Sequence, residues 1–235
     1  MRNLLNHLEF LNESDNESEG KKFKELEKKE KELAIEVNRY INVYDDWFEF
    51  AINDFEKSLM DLGIDSIDCQ FSGFYSQGDG ASFTSKDIDS EEFLQKAIGL
   101  KRNPFIEFEN YPNNSDLDAL MGDLEDLGFS GNKIKADEIY IEFYRSSNSS
   151  VHEHSVSVRF EWETETEEME EDYIEKMEEF LSSLEDKIEE WRLEKCGELY
   201  SSLEKEYESL ISDEEVERNL IDEDYLLDPE TGEII

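Results

Sequence analysis

The sequence predicts an α+β fold: a small, mostly antiparallel sheet made of two hairpins and covered by helices, followed by a long acidic helix. Two separated stretches alternate between apolar and polar residues with period two, whereas apolar residues elsewhere recur every three or four positions. Hydrophobic residues make up 37% of the chain and aromatics 12%. That is too much apolar material for a disordered acidic polymer, so a packed core is expected.

The first segment, 1–20, reads as a short helix and a linker. Met1 to Leu11 is apolar in flavour but broken by Asn, His and Glu and lacks a small-residue cleavage site, so no signal peptide is expected. Asn12 to Gly20 is polar and breaker-rich. Residues 21–43 read as a charged helix, with mixed-sign pairs at helical spacing. The α+β domain is placed at 44–165. It opens with an amphipathic helix whose stripe is Trp47, Phe48, Ala51, Ile52, Phe55 and Leu59, closed by Gly63.

Ile67, Cys69 and Phe71 then alternate with polar neighbours, and Gly78-Asp79-Gly80 turns the chain into a second short strand at Ala81 to Thr84. Asp87 to Ser90 supplies a helix cap before Phe93, Leu94, Ala97 and Ile98. Pro104 and Pro112 bracket an extended piece at Phe105 to Phe108, and a further helix is expected over Leu117 to Leu127. Ile139, Ile141 and Phe143 alternate with Tyr140, Glu142 and Tyr144, and Val156 to Trp162 is the matching strand after a Ser-rich turn. Residues 166–212 form the long acidic helix, unbroken by proline, with a bend near Gly197. Residues 213–235 read as a loosely held acidic tail.

Charge restricts the partners. The chain has 64 acids against 23 bases, a net charge of −41. Residues 1–42 hold ten acids and eight bases, so nearly all the excess lies beyond them. Nucleic-acid affinity requires cations that displace phosphate counterions, so direct binding to DNA or RNA is not expected, nor is binding to an anionic membrane. No apolar run approaches the roughly 18 residues of a transmembrane helix. Cys69 and Cys196 have no metal spacing, which argues against a disulfide framework or zinc site and for a reducing cytoplasm.

Candidate chemistry is sparse. The string Phe71-Ser72-Gly73-Phe74-Tyr75-Ser76-Gln77-Gly78-Asp79-Gly80-Ala81-Ser82-Phe83 has glycines for a tight loop and aromatics to anchor its ends. No lysine follows at P-loop spacing and the next segment is a strand, so it reads as a structural hairpin, with a ligand loop as the alternative. His152 and His154 sit two apart on a strand-like stretch, where both rings can project to one face. They read as exposed strand-edge residues rather than metal ligands. Acid pairs such as Asp45/Asp46 carry little information among so many carboxylates. No nucleophile elbow or calcium loop is present, so no enzyme activity and no cofactor are expected.

The Phe71–Phe83 string resembles an FSGFxSQGDGAxF segment found in small phage proteins of undefined activity. With its length and composition, the chain resembles the acidic early host-takeover proteins of large Bacillus phages. That resemblance implies binding to the β subunit of bacterial RNA polymerase and shut-off of host transcription.

Composition alone points to a broader class, a basic nucleic-acid-binding protein as partner, met by carboxylates standing where phosphates would lie. Between Glu163 and Lys195 there are 15 acids and four bases. The candidate partner-binding residues are Glu167, Glu168, Glu170, Glu171, Asp172, Glu175, Glu178 and Glu179 on the long helix. Asp213, Glu214, Glu215, Asp222, Glu223 and Asp224 join them from the tail. The competing reading is an oligomeric scaffold that uses the long helix in an intermolecular bundle. A third is a metal- or nucleotide-dependent enzyme built on the histidines or the glycine loop.

Overall fold

The structure, a computed structural model, describes residues 20–44, 46–99, 101–103, 105–107, 139–145, 151–162 and 171–235. In chain order these form β1 (Lys21–Lys22), α1 (Lys28–Val37), α2 (Glu49–Met60), β2 (Ile64–Asp65), β3 (Asp68–Phe71), β4 (Ala81–Thr84) and β5 (Asp87–Ile88). There follow α3 (Ser90–Lys96), β6 (Lys101–Asn103), β7 (Phe105–Glu107), β8 (Ile139–Arg145), β9 (Val156–Trp162), α4 (Glu171–Leu210), α5 (Asp213–Asp222) and β10 (Leu226–Leu227). The fold is α+β, as the two periodicities predict. The expected helix over Leu117 to Leu127 lies outside the described residues, as do the Ser146 to Ser150 turn and Asp45.

Two compact units result: residues 48–204, and residues up to 47 together with 205–235. In the larger unit, both expected hairpins are present. β3 pairs antiparallel with β4, setting Cys69 opposite Phe83, and β8 pairs with β9, setting Ile141 opposite Phe160. A bridge joins the hairpins, with the Ser85 and Phe143 backbones exchanging N–H···O bonds of 3.0 and 2.9 Å. Alternation along β8 sends Ile139, Ile141 and Phe143 to the core side.

The helices cover that side. Leu59 of α2, Phe93 and Leu94 of α3 and Leu181, Leu184 and Ile188 of α4 are buried with Phe83, Ile141 and Phe143. Each such residue contributes about 1.5–3 kcal/mol on leaving water. Phe83 and Phe143 meet edge to face at 5.5 Å, as do Phe93 and Trp191 at 5.0 Å. Gly63, at φ +83°, closes α2, and the Asp89 side chain accepts the Glu92 N–H at 2.9 Å to open α3.

The smaller unit departs from expectation twice. Residues 21–43 are not one helix: β1 and a 3₁₀ turn at Phe23–Glu25 precede α1, which ends at Val37. The helical charge pairs misled here, because Phe23 and Leu26 are buried as an anchor for the other strands and helices rather than as a helix stripe. Nor is 213–235 a loose tail. Ser212 caps α5, Val216 and Leu220 are fully buried, and β10 pairs with β1, setting Leu227 opposite Lys21. The apolar residues of this acidic stretch recur every three or four positions, and Ala34 of α1 offers them a core to join.

Candidate partner-binding surface

α4 displays an acidic face because its apolar stripe is turned into the core. Leu181, Leu184, Ile188, Cys196, Leu199 and Leu203 are buried, three or four residues apart once Arg192 between Ile188 and Cys196 is included, and the opposite side of the helix faces water. Asp186, Glu190, Glu194 and Glu198 stand every fourth residue along the exposed side, about 6 Å apart along the axis. Asp186, Glu190 and Glu194 make no ion pair among the described residues, whereas Glu198 binds Lys195 at 2.7 Å.

Magnitudes limit what this face can imitate. From Glu175 to Glu198 the helix carries nine carboxylates and four cations. Over about 35 Å of axis that is one carboxylate per roughly 4 Å, close to the phosphate spacing of one DNA strand but with about half its net charge. The helix therefore resembles a single phosphate row, not a duplex. Like charges at i,i+4 cost the isolated helix a few tenths of a kcal/mol per pair, which the buried stripe offsets.

The sequence-derived candidates fall into distinct settings. Glu175, Glu178 and Glu179 are exposed on α4. Glu171 and Asp172 lie in its first turn with side chains outside the described set, and Glu167, Glu168 and Glu170 lie outside the described residues altogether. In the smaller unit, Asp213 binds Arg39 at 2.8 Å, Glu215 pairs with Arg218, and Asp224 pairs with Lys22. The Asp213 and Glu36 carboxylates hold the Arg39 guanidinium above its ordinary pKa. Asp213, Glu214 and Glu215 also occupy the first turn of α5, where acids complement the helix dipole. Glu214, Asp222 and Glu223 stay exposed.

The Phe71–Phe83 string forms the β3–β4 hairpin with a loop that satisfies itself. Asp79 accepts the backbone N–H groups of Tyr75 and Ser76 at 2.9 and 2.6 Å, and Ser72 N–H donates to the Gly80 carbonyl at 3.1 Å. Gly73, at φ +117°, passes so close to Asp79 that a Cβ there would lie 3.2 Å from Oδ2. Phe71 stacks on Phe74, which packs on Tyr200 of α4 at 5.6 Å. The loop's backbone N–H groups at Tyr75 and Ser76 point inward to Asp79, not outward to a phosphate.

His152 and His154 are not on a strand. His152 caps the 3₁₀ turn Glu153–Ser155, its Nδ1 accepting the His154 N–H at 3.1 Å. The turn forms because Ser155 and His152 close on each other, with the Ser155 hydroxyl donating to the His152 carbonyl at 2.7 Å. No cluster of three metal-ligating side chains occurs among the described residues.

Residues 47–213 match the family described as Domain of unknown function (DUF8835). The chain belongs to the DUF8835 family. No curated protein and no solved structure matches it. The DUF8835 match contains the whole larger unit, both hairpins and all of α4, while β1, α1, β10 and nearly all of α5 lie outside it.

One element of the DUF8835 region went unread in the sequence. Arg192 sits on the apolar stripe of α4, between Ile188 and Cys196, and is 0% exposed. It makes a bidentate pair with Glu189, with Nε to Oε2 at 2.9 Å, and its Nη1 donates to the Glu153 carbonyl at 2.8 Å. A buried guanidinium with a carboxylate three residues before it is the signal that was available: a charge where the period demands an apolar residue. Arg145 does related work, donating to the Ser155 and Ser82 hydroxyls at 3.1 and 3.0 Å.

Proposed function

We propose that this DUF8835 protein is a non-catalytic inhibitor that binds a basic, nucleic-acid-binding protein in the host cytoplasm and occupies the surface where phosphates would lie. Bacterial RNA polymerase, through its β subunit, is the first candidate partner, and arrest of host transcription is the outcome. The observation that carries the reading is the carboxylate row on α4. Asp186, Glu190 and Glu194 are displayed without cations of their own among the described residues, by a helix whose opposite side is locked into the core. A protein needing acids only for solubility has no use for a row that weakens its own helix.

The half-strand charge density favours a groove that reads one phosphate backbone over one that grips a duplex. Affinity then depends steeply on salt, because the partner's cations exchange their counterions on binding. The test is capture from bacterial lysate on the immobilised protein at low and at high salt, with the retained proteins identified by mass spectrometry. Recovery of basic nucleic-acid-binding proteins, RNA polymerase among them, at low salt only is the expected result. Capture of none of these would refute the reading.

A further inference from the structure

The smaller unit presents an apolar spot in acidic surroundings. Leu226 is 46% exposed and Ile235 66% exposed, and the two are joined by the Ile235 N–H donating to the Leu226 carbonyl at 2.9 Å. Gly20 runs alongside so closely that a Cβ on it would meet Ile235 Cδ1 at 3.0 Å and Leu226 Cβ at 3.1 Å. Gly20 thus covers one flank of the pair with backbone alone, and the rest of both side chains faces water. Residues 222–235 hold six acids and no base. The two lysines of β1 are already engaged, Lys21 by Glu30 and Lys22 by Asp224.

We propose that the Leu226–Ile235 face is a docking site for an aliphatic or aromatic side chain carried on a lysine- or arginine-rich segment of the protein's partner. The inference rests on the function proposed above and adds a short-range anchor to its long-range charge. Charge complementarity selects this occupant, since an apolar group reaching the face must pass acids that favour flanking cations. A second copy of the chain is disfavoured by mutual repulsion at a net charge of −41.

The test uses two short peptides of equal positive charge, an amphipathic Lys/Leu peptide and a Lys/Ser peptide, titrated against the full chain by fluorescence anisotropy. The Lys/Leu peptide is expected to bind about tenfold more tightly, the effect of burying roughly one aliphatic side chain. The double variant Leu226→Ser/Ile235→Ser, and separately Leu226→Lys, should abolish that difference and leave Lys/Ser binding by the double variant unchanged. Retention of the difference in a folded variant overturns the proposal. It is overturned equally if the double variant converts a dimer to a monomer by light scattering, which assigns the face to a second copy. A tenfold gain in Lys/Leu affinity on Leu4→Ser/Leu8→Ser does the same by assigning it to the chain's own first segment. Lysate capture separates the two readings: wild-type capture with peptide discrimination intact in the variants sinks only the docking site.

Discussion

A Cβ added to Gly80 would lie 2.5 Å from the Cβ of His152. The end of the β3–β4 hairpin and the turn before β9 are therefore locked against each other at a point that admits no side chain. Gly80→Ala should cost about 2 kcal/mol or more, since the backbone must move to relieve the overlap. Gly78→Ala, in open space but at φ +96°, should cost only about 1 kcal/mol of backbone strain. Urea unfolding of both variants checks the order, and equal losses would show that the interlock is not tight.

Arg192 ties α4 to the same turn through the Glu153 carbonyl. Arg192→Ala leaves a void and an unpaired carbonyl and should destabilise the fold by about 3 kcal/mol. Glu189 is 38% exposed at its side chain and can turn to water, so Arg192→Met, which keeps the volume and removes the buried charge, should cost about 1 kcal/mol. Denaturant midpoints separate the two.

Gly197 is exposed within α4, and a Cβ there would meet nothing within 4 Å. The helix continues without a break through this glycine, from Glu171 to Leu210. Gly197→Ala should raise stability by about 1 kcal/mol, the intrinsic helix preference of alanine over glycine. A fall in thermal midpoint would contradict an ordinary helical backbone at this position.

Asp186→Asn/Glu190→Gln/Glu194→Gln should move stability and binding in opposite directions. Removing neighbouring like charges should stabilise the fold by about 0.5–1 kcal/mol, while capture of the basic partner at low salt should fall. Parallel thermal melts and lysate capture test this pair of signs. Unchanged capture would remove α4 from the binding surface.

Burial pushes the Cys69 thiol up to about 12, and burial likewise raises Cys196. Both native thiols should resist a thiol reagent at neutral pH and react after unfolding. A thiol harder to ionise in the native state stabilises it below the ordinary thiol pKa of 9.0, and that contribution is lost as pH rises from there to about 12. Equilibrium unfolding between neutral and strongly alkaline pH should show stability falling through that window. Rapid labelling of the folded protein would overturn the burial argument.

The hairpins were legible because alternation over residues 139–145 and 156–162 has one structural meaning when both partners are present. The caps at Gly63 and Asp89 were legible for the same local reason. What the sequence concealed was non-local. Phe23 looked like part of a helical stripe, because nothing nearby in sequence reveals that residues 226 and 227 pair beside it. The acidity of 213–235 looked like solvation, although Val216 and Leu220 supply a stripe sufficient for a helix. Among the carboxylates, type alone did not separate those with a structural partner, Asp213, Glu215 and Asp224, from the exposed Glu214, Asp222 and Glu223. Arg192 was missed because period counting registers a cation as an interruption.

The β1–β10 ribbon joins Lys21–Lys22 to Leu226–Leu227. On the ribosome, a chain that has just exposed residue 22 must wait about 200 further residues for its mate, some ten to forty seconds at elongation rates of about 5–20 residues per second. Residues 48–204 close on themselves and can fold during that interval. The smaller unit thus matures after residues 48–204, and a message truncated before residue 226 would yield the DUF8835 core with its flanking strand unpaired.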